Sequence, residues 1–187
     1  MTDSHTSDPH QQQGLSDILA KDLDVVFCGI NPGLRSAADG HHFVNRSNRF
    51  WRVLHQAGFT PDEIAPQDGR RLLLYGCGLT TAVARPTAGA DDLATSEFLD
   101  ASQELSDTIR RFAPRYIAFL GKAAIAAIQR NRELPWGLQP TTFGGARVWV
   151  LPNPSGRNRA YSLDELVCAY RMLRAESQGE LPVCMFG

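Results

Sequence analysis

The chain has 187 residues, 43% of them apolar, with nine Phe and three Trp. That is the length of one domain with enough apolar surface to bury a core, which excludes a largely disordered protein. A net charge of −1 does not by itself suggest a nucleic-acid partner. No apolar run reaches membrane-spanning length and no charged-then-apolar leader is present, so a soluble, intracellular, cytoplasmic protein is expected.

Residues 1–16 hold almost nothing apolar and read as a loose tail, in which His5 and His10 are solvated rather than metal ligands. "LDVVFCGI" is a short β-rich apolar run ending in glycine, the pattern of a buried strand. "SNRFWRVLHQAGF" follows as a helix, with Ser47 or Asn48 as its cap, Phe50, Val53, Leu54 and Ala57 at helical spacing, and Gly58 as its stop. A mixed stretch rich in turn signals, including "RRLLLYGCGLTTAVARPT", runs to about Ala90. "SEFLDASQELSDTIRRFAP" is a helix with Phe98, Leu105, Ile109 and Phe112 on one face. "RYIAFLG" is a second buried strand, "KAAIAAIQR" a short helix, and "ARVWVLPNPSG" a third strand breaking into a loop. "SLDELVCAYRMLRA" opens with Ser162 and Glu165 in capping-box spacing and carries Leu163, Leu166, Val167, Tyr170 and Leu173 along one stripe. The expected organisation is a single domain over 17–176 and a loose C-terminal tail over 177–187.

Strands alternating with helices predict an α/β fold, a three-layer α/β/α sandwich around a short, mainly parallel sheet. Ligands of such sheets sit beyond the carboxyl ends of the strands. Two predicted strands end there in unusual loops, "GINPG" and "PNPSGRNR", which would line one cleft.

Charge is distributed unevenly. Residues 91–107 carry Asp91, Asp92, Glu97, Asp100, Glu104 and Asp107 with no base, whereas 141–161 carry Arg147, Arg157 and Arg159 with no acid. Near the first loop, Arg35, Arg46, Arg49 and Arg52 face only Asp39, so a locally basic groove is expected on a neutral protein. Cys28, Cys77, Cys168 and Cys184 are scattered without a C-x-x-C pair, which argues for structural thiols and against a zinc or iron–sulfur site.

The loops admit several chemistries. A Gly-x-x-Pro-Gly turn is ordinary punctuation in which Asn31 caps the backbone. Glycine turns at strand ends also present N–H groups to anions. Yet "GINPG" matches neither G-x-x-x-x-G-K-[ST] nor G-x-G-x-x-G, so a nucleotide-hydrolase reading is weak.

Taken together, "GINPGLRSA…NRFW" and "LPNPSGRNR", with "ARPTA" and "LGKAA" between them, resemble the mismatch-specific uracil/thymine-DNA glycosylase family of the uracil-DNA glycosylase superfamily, from about Leu23 to Arg174. The resemblance implies a monofunctional enzyme that flips a uracil, and by extension a thymine or damaged pyrimidine, out of G-mismatched double-stranded DNA and hydrolyses its glycosidic bond. It implies no metal, no cofactor, a monomer and a nucleoid-associated substrate. Asn31 matches the family's catalytic position, where a neutral amide would orient water rather than deprotonate it. Ile30 and Gly33 would supply backbone contacts, Ser36 would line the pocket, and Phe43 would stack on the flipped base. Asn153 and Ser155 would hold the loop that enters the duplex, and Gly156, Arg157, Asn158 and Arg159 would meet the vacated site. At Arg157 the sequence departs from the best-known bacterial pattern, which has leucine; a guanidinium stacks and donates hydrogen bonds but is a poorer apolar wedge. Asp91 and Asp92 lie just after "ARPT" and offer a carboxylate as general base or as support for a cationic sugar. They equally suit the start of the following helix, whose dipole favours acids. His41 and His42 read as loop residues. Two other classes remain open: a DNA-damage binding module without turnover, and a small-molecule hydrolase using "GINPG" for an anion.

Overall fold

Four of the strands run parallel, and each is short and almost wholly buried, as in a sheet covered on both faces. The computed structural model describes residues 15–180, and His5, His10 and Cys184 lie outside that range. Its elements are β1 (Val25–Gly29), α1 (Leu34–Asp39), α2 (Phe50–Gln56), a 3-10 segment (Pro66–Tyr75), β2 (Cys77–Thr81), a 3-10 turn (Ala90–Asp92), α3 (Thr95–Phe112), β3 (Tyr116–Leu120), α4 (Ala123–Gln129), β4 (Gly137–Phe143), β5 (Ala146–Leu151) and α5 (Leu163–Gln178). The sheet order is β2-β1-β3-β5-β4, with only β4 antiparallel. The expected three-layer sandwich is therefore present.

Alternation along each strand divides the core in two. Val25 and Phe27 point with Tyr116 and Trp149 into a cluster with Phe50, Trp51 and Leu54 of α2 and Leu166, Tyr170 and Leu173 of α5. Val26 and Cys28 point the other way with Ile117, Phe119, Val148 and Val150, against Phe98, Leu105 and Ile109 of α3 and Ile125 of α4. Each fully buried Phe or Leu contributes about 1.5–3 kcal/mol by leaving water. Burial also pushes the Cys28 thiol up and the Cys77 thiol up to about 12, which suits structural cysteines. Cys168 lies half-buried on α5.

Three elements escape the periodic patterns. β2 reads "CGLTT", whose glycine and threonines look like turn, yet it pairs with β1 from Val25↔Cys77 to Gly29↔Thr81. β4 is mostly exposed, as an edge strand can be, and carries a proline and a register shift. α1 is only six residues long. The C-terminal boundary also moves: α5 runs to Gln178 and is capped by Gly179 in the left-handed region, with Ser177 buried. The tail expected from 177 is therefore helix at its start, because Ser177 packs inward. At the other end Ser16 accepts a hydrogen bond from His42, so the fold begins within the expected tail. The predicted capping box is present: Ser162 Oγ accepts from Glu165 N (3.2 Å) and Glu165 Oε2 from Ser162 N (2.7 Å). Among the described residues, no helix is long and apolar enough to cross a membrane.

Candidate active site

The parallel strands place the ends of β1, β2, β3 and β5 at one rim of the sheet. A cavity of about 220 Å³ opens there, lined among others by Ile30, Asn31, Gly33, Ser36, Phe43, Asn153, Ser155, Gly156 and Arg157. That volume suits one flat ring better than a drug-sized ligand, whose pockets run to ~300–1,000 Å³. Asn31 and Arg157, 126 positions apart (157 − 31), thus meet at one cavity.

Asn31 is oriented by residues that sequence reading did not single out. Its Nδ2 donates to the carbonyl of Arg85 (2.8 Å) and to Thr87 Oγ1 (2.7 Å). A carbonyl can only accept, and the Thr87 hydroxyl spends its hydrogen on the Gly89 carbonyl (2.7 Å), so both neighbours demand a donor. The amide cannot flip, and among the described residues no donor reaches Oδ1 of Asn31, which lines the cavity. The two loops are zipped together by Thr87 N–H to Pro32 O (3.1 Å) and Leu34 N–H to Thr87 O (3.2 Å). Arg85 is held in turn by a two-pronged bond to Glu97 (2.7 and 2.8 Å), which together with the Ala94 N–H keeps the Glu97 carboxyl down at about 2.

Gly33 has a φ of −70°, and a Cβ there would meet nothing within 4 Å. Neither backbone angle nor packing requires glycine at that position, and the space beside it opens on the cavity that Gly33 lines. Ser36 is buried and lines the cavity. Phe43 is only half-buried and has φ +56°, a backbone state costing a bulky residue about 1–3 kcal/mol. Its ring lies 4.2 Å from that of Phe50 at 31° and closes over Gly29, where a Cβ would sit 3.6 Å from the ring. The ring thus packs against the core on one side and lines the cavity on the other.

His42 is buried beside it. A carbonyl can only accept, so Nε2–H donates to Ser16 O (3.0 Å), while Trp51 Nε1 donates to the His42 carbonyl (3.2 Å). Burial lowers the His42 pKa from its ordinary 6.5, outweighing the Ser16 bond. A lowered folded value means the unfolded chain binds the extra proton first, so this contribution to stability is full above pH 6.5 and is lost as pH falls through the folded value. The urea midpoint is expected to drop on acidification below pH 6.5, and His42→Phe to flatten that part of the profile; an equal drop in the variant would show other groups to be responsible.

The second loop is self-braced. Asn153 Oδ1 accepts from Ser155 N–H (2.9 Å), Asn158 Nδ2 donates to Asn153 O (2.9 Å), and Ser155 Oγ accepts from Arg157 N–H (3.3 Å). Gly156 lies so close to Ser47 that a Cβ would come within 2.5 Å of its Cβ. Arg49 then spans the loop, donating to the carbonyls of Pro154 (3.4 Å), Ser155 (3.0 Å), Asn158 (2.8 Å) and Tyr161 (2.7 Å). This corrects the expected basic groove. Arg49 points inward as a clamp, Arg52 pairs with Glu63 (3.5 Å) and Arg35 with Asp39 (3.5 Å). Arg46, Arg157 and Arg159 are the exposed arginines of the two loops without an ion pair among the described residues. Arg157 crosses the cavity mouth, its Nη1 2.6 Å from where a Cβ on Gly89 would sit.

Asp91 and Asp92 are exposed on the 3-10 turn at the rim and do not line the cavity, nor do Asn158 and Arg159. Asp92 Oδ2 accepts from Gly89 N–H (2.9 Å), so it braces the turn. α3 begins later, at Thr95, with Glu97 bonded to the Ala94 N–H. Among the described residues, no three His, Cys, Asp or Glu side chains group as a metal site would need.

The mainly parallel α/β sandwich thus carries at its strand ends a ring-sized cavity lined by an immobilised amide and an arginine-bearing loop. The chain belongs to the uracil DNA glycosylase superfamily, whose model matches residues 16–174. Membership places it among the DNA glycosylases, hydrolases of DNA repair that act on uracil in DNA. Its fold is also that of a candidate uracil DNA glycosylase from Methanosarcina acetivorans, known by solution NMR. The two share 21% identity with a TM-score of 0.60, over 87% of this chain and 98% of that one.

Proposed function

We propose that the protein excises uracil, and with it thymine or damaged pyrimidines, from double-stranded DNA in which the base is mismatched with guanine, leaving an abasic site. The observation that carries this reading is the fixed Asn31 amide: its nitrogen is committed to Arg85 and Thr87, and its oxygen is left to accept from a water. The nucleotide leaves the stack, its base slides over Phe43, and Asn31 Oδ1 orients the water toward the sugar C1′. As the C1′–N bond breaks, its electron pair goes to the base and positive charge develops on the sugar. The water oxygen then bonds to C1′, and the proton it loses neutralises the departing base. The N–H groups of the "GINPG" turn stabilise the anionic base as preorganised donors. Arg157 enters the vacated site and contacts the orphaned guanine. Asp91, on the exposed rim with no partner bond among the described residues, supports the cationic sugar electrostatically.

The test is single-turnover excision from otherwise identical duplexes carrying U·G, T·G or U·A. Abasic sites are expected from U·G first. Tight binding without excision would support a damage-recognition module instead, and neither would return the cavity to a small-molecule hydrolase. Equal rates for U·G and U·A would remove the proposed reading of the opposite base by Arg157.

A further inference from the structure

Away from the 85–92 loop, the rim of the cavity continues into a side-chain cluster that the steps above leave unused. Lys122 follows β3 directly after Gly121, where a Cβ would lie 3.6 Å from Asn153 and 3.7 Å from Ile30 of the cavity wall. Trp136 precedes β4. Because β4 is antiparallel and Gly137 pairs with Val150, Trp136 stands at the same end of the sheet as Asn31 and Arg157, on the opposite edge from β2. Tyr161 closes the loop that Arg49 clamps.

These three side chains form a built surface. Lys122 Nζ lies 4.4 Å from the centre of the Trp136 ring, and the Trp136 and Tyr161 rings meet edge to face at 5.7 Å and 83°. Trp136 is 42% exposed yet not loosely held. The buried Gln139 amide donates to the carbonyls on both sides of it, Pro135 and Gly137 (2.9 Å each), although this leaves Gln139 Oε1 buried without a partner. Lys122 makes no ion pair among the described residues, and residues 134–161 contain no acid that could offset it. It is one of only two lysines beside seventeen arginines.

We propose that Lys122, steered by Trp136 against Tyr161, grips a backbone phosphate of the DNA strand beside the extruded nucleotide. This rests on the glycosylase reading and extends it to a second point of attachment. A compact ammonium suits a single phosphate oxygen, and such contacts set register on the duplex without reading sequence. An exposed Trp136 backed by half-buried Tyr161 would also suit a partner protein, but the continuity with the cavity rim and the unpaired positive charge favour the polyanion.

The experiment compares binding of a duplex carrying non-hydrolysable 2′-fluoro-deoxyuridine opposite guanine at salt concentrations from ~50 to ~200 mM. Lys122→Ala is expected to bind severalfold more weakly at the lowest salt and to lose about one unit from the slope of log affinity against log salt. Lys122→Arg should keep the slope, and Trp136→Ala should lose part of the affinity because the ammonium is no longer steered. Thermal melts establish that the variants are folded, with Lys122→Gln in reserve should alanine fail. Uracil excision by the unaltered protein is measured in parallel. Excision with identical slopes for the unaltered protein and Lys122→Ala would overturn the phosphate contact alone, whereas absence of excision would overturn the glycosylase reading beneath it.

Discussion

Asn31→Ala is expected to lower single-turnover uracil excision by about a hundredfold or more while binding of the mismatched duplex changes little. The reason is geometric. The amide nitrogen is tied to Arg85 O and Thr87 Oγ1 at 2.8 and 2.7 Å, so its oxygen is held where a water can donate to it. Alanine removes that acceptor and makes no direct change to Phe43 or to the Arg157 loop, to which the proposed function assigns the hold on DNA. Thr87→Val should reproduce part of the loss, since the hydroxyl that receives the amide also anchors to Gly89 O. Excision unchanged in Asn31→Ala would remove water orientation from its role. The same assay weighs the rim carboxylates: a slower Asp91→Asn supports its help to the cationic sugar, and full activity removes it.

Arg49→Ala is expected to destabilise the protein by about 1.5–3 kcal/mol, the range for hydrogen bonds to a charged group, and to lower excision at least tenfold even where the variant is fully folded. Arg49 is half-buried and its guanidinium touches four carbonyls between Pro154 and Tyr161. Among the described residues, no other side chain hydrogen-bonds the Asn153–Tyr161 loop to the α2 segment. Arg49→Lys should rescue little, because a point charge cannot reproduce a planar fork spread over four acceptors. A melting temperature unchanged in Arg49→Ala, or full rescue by lysine, would show that the loop is held by its own Asn153, Ser155 and Asn158 bonds.

The two variants act on different links. One deletes the acceptor proposed to orient water; the other releases the loop that carries Arg157. Their effects should therefore differ in binding: small for Asn31→Ala, large for Arg49→Ala, because Ser155, Gly156 and Arg157 would no longer be presented together.

How much of this was legible beforehand depended on the range of the interaction. "LDVVFCGI", "RYIAFLG" and "ARVWVL" announce buried strands because each is a short run that is apolar but for one charged residue, and the stripe Leu166, Val167, Tyr170, Leu173 announces a helix because burial repeats every 3.6 residues. β2 was not legible because its buried positions are filled partly by Gly78 and Thr80, which read as turn residues, and β4 because an exposed edge strand has little burial to imprint on its sequence. The amide and the arginine loop could be picked out by their motifs. Arg49 was misjudged as part of a basic surface, for nothing in its neighbours tells which way a guanidinium turns when its acceptors lie 105 to 112 residues on.

By itself, then, the sequence determined the layered α/β architecture, the two loops at strand ends and the residue types that chemistry on a nucleotide would need. Only the tertiary structure decided that Thr87, 56 residues from Asn31, sets which atom of the amide is free, and that Arg49 serves the loop rather than the solvent. It alone placed Lys122, Trp136 and Tyr161 on one rim. Local periodicity records whether a side chain is buried; the partner it meets is set by chain crossings that leave no periodic trace in the residues between.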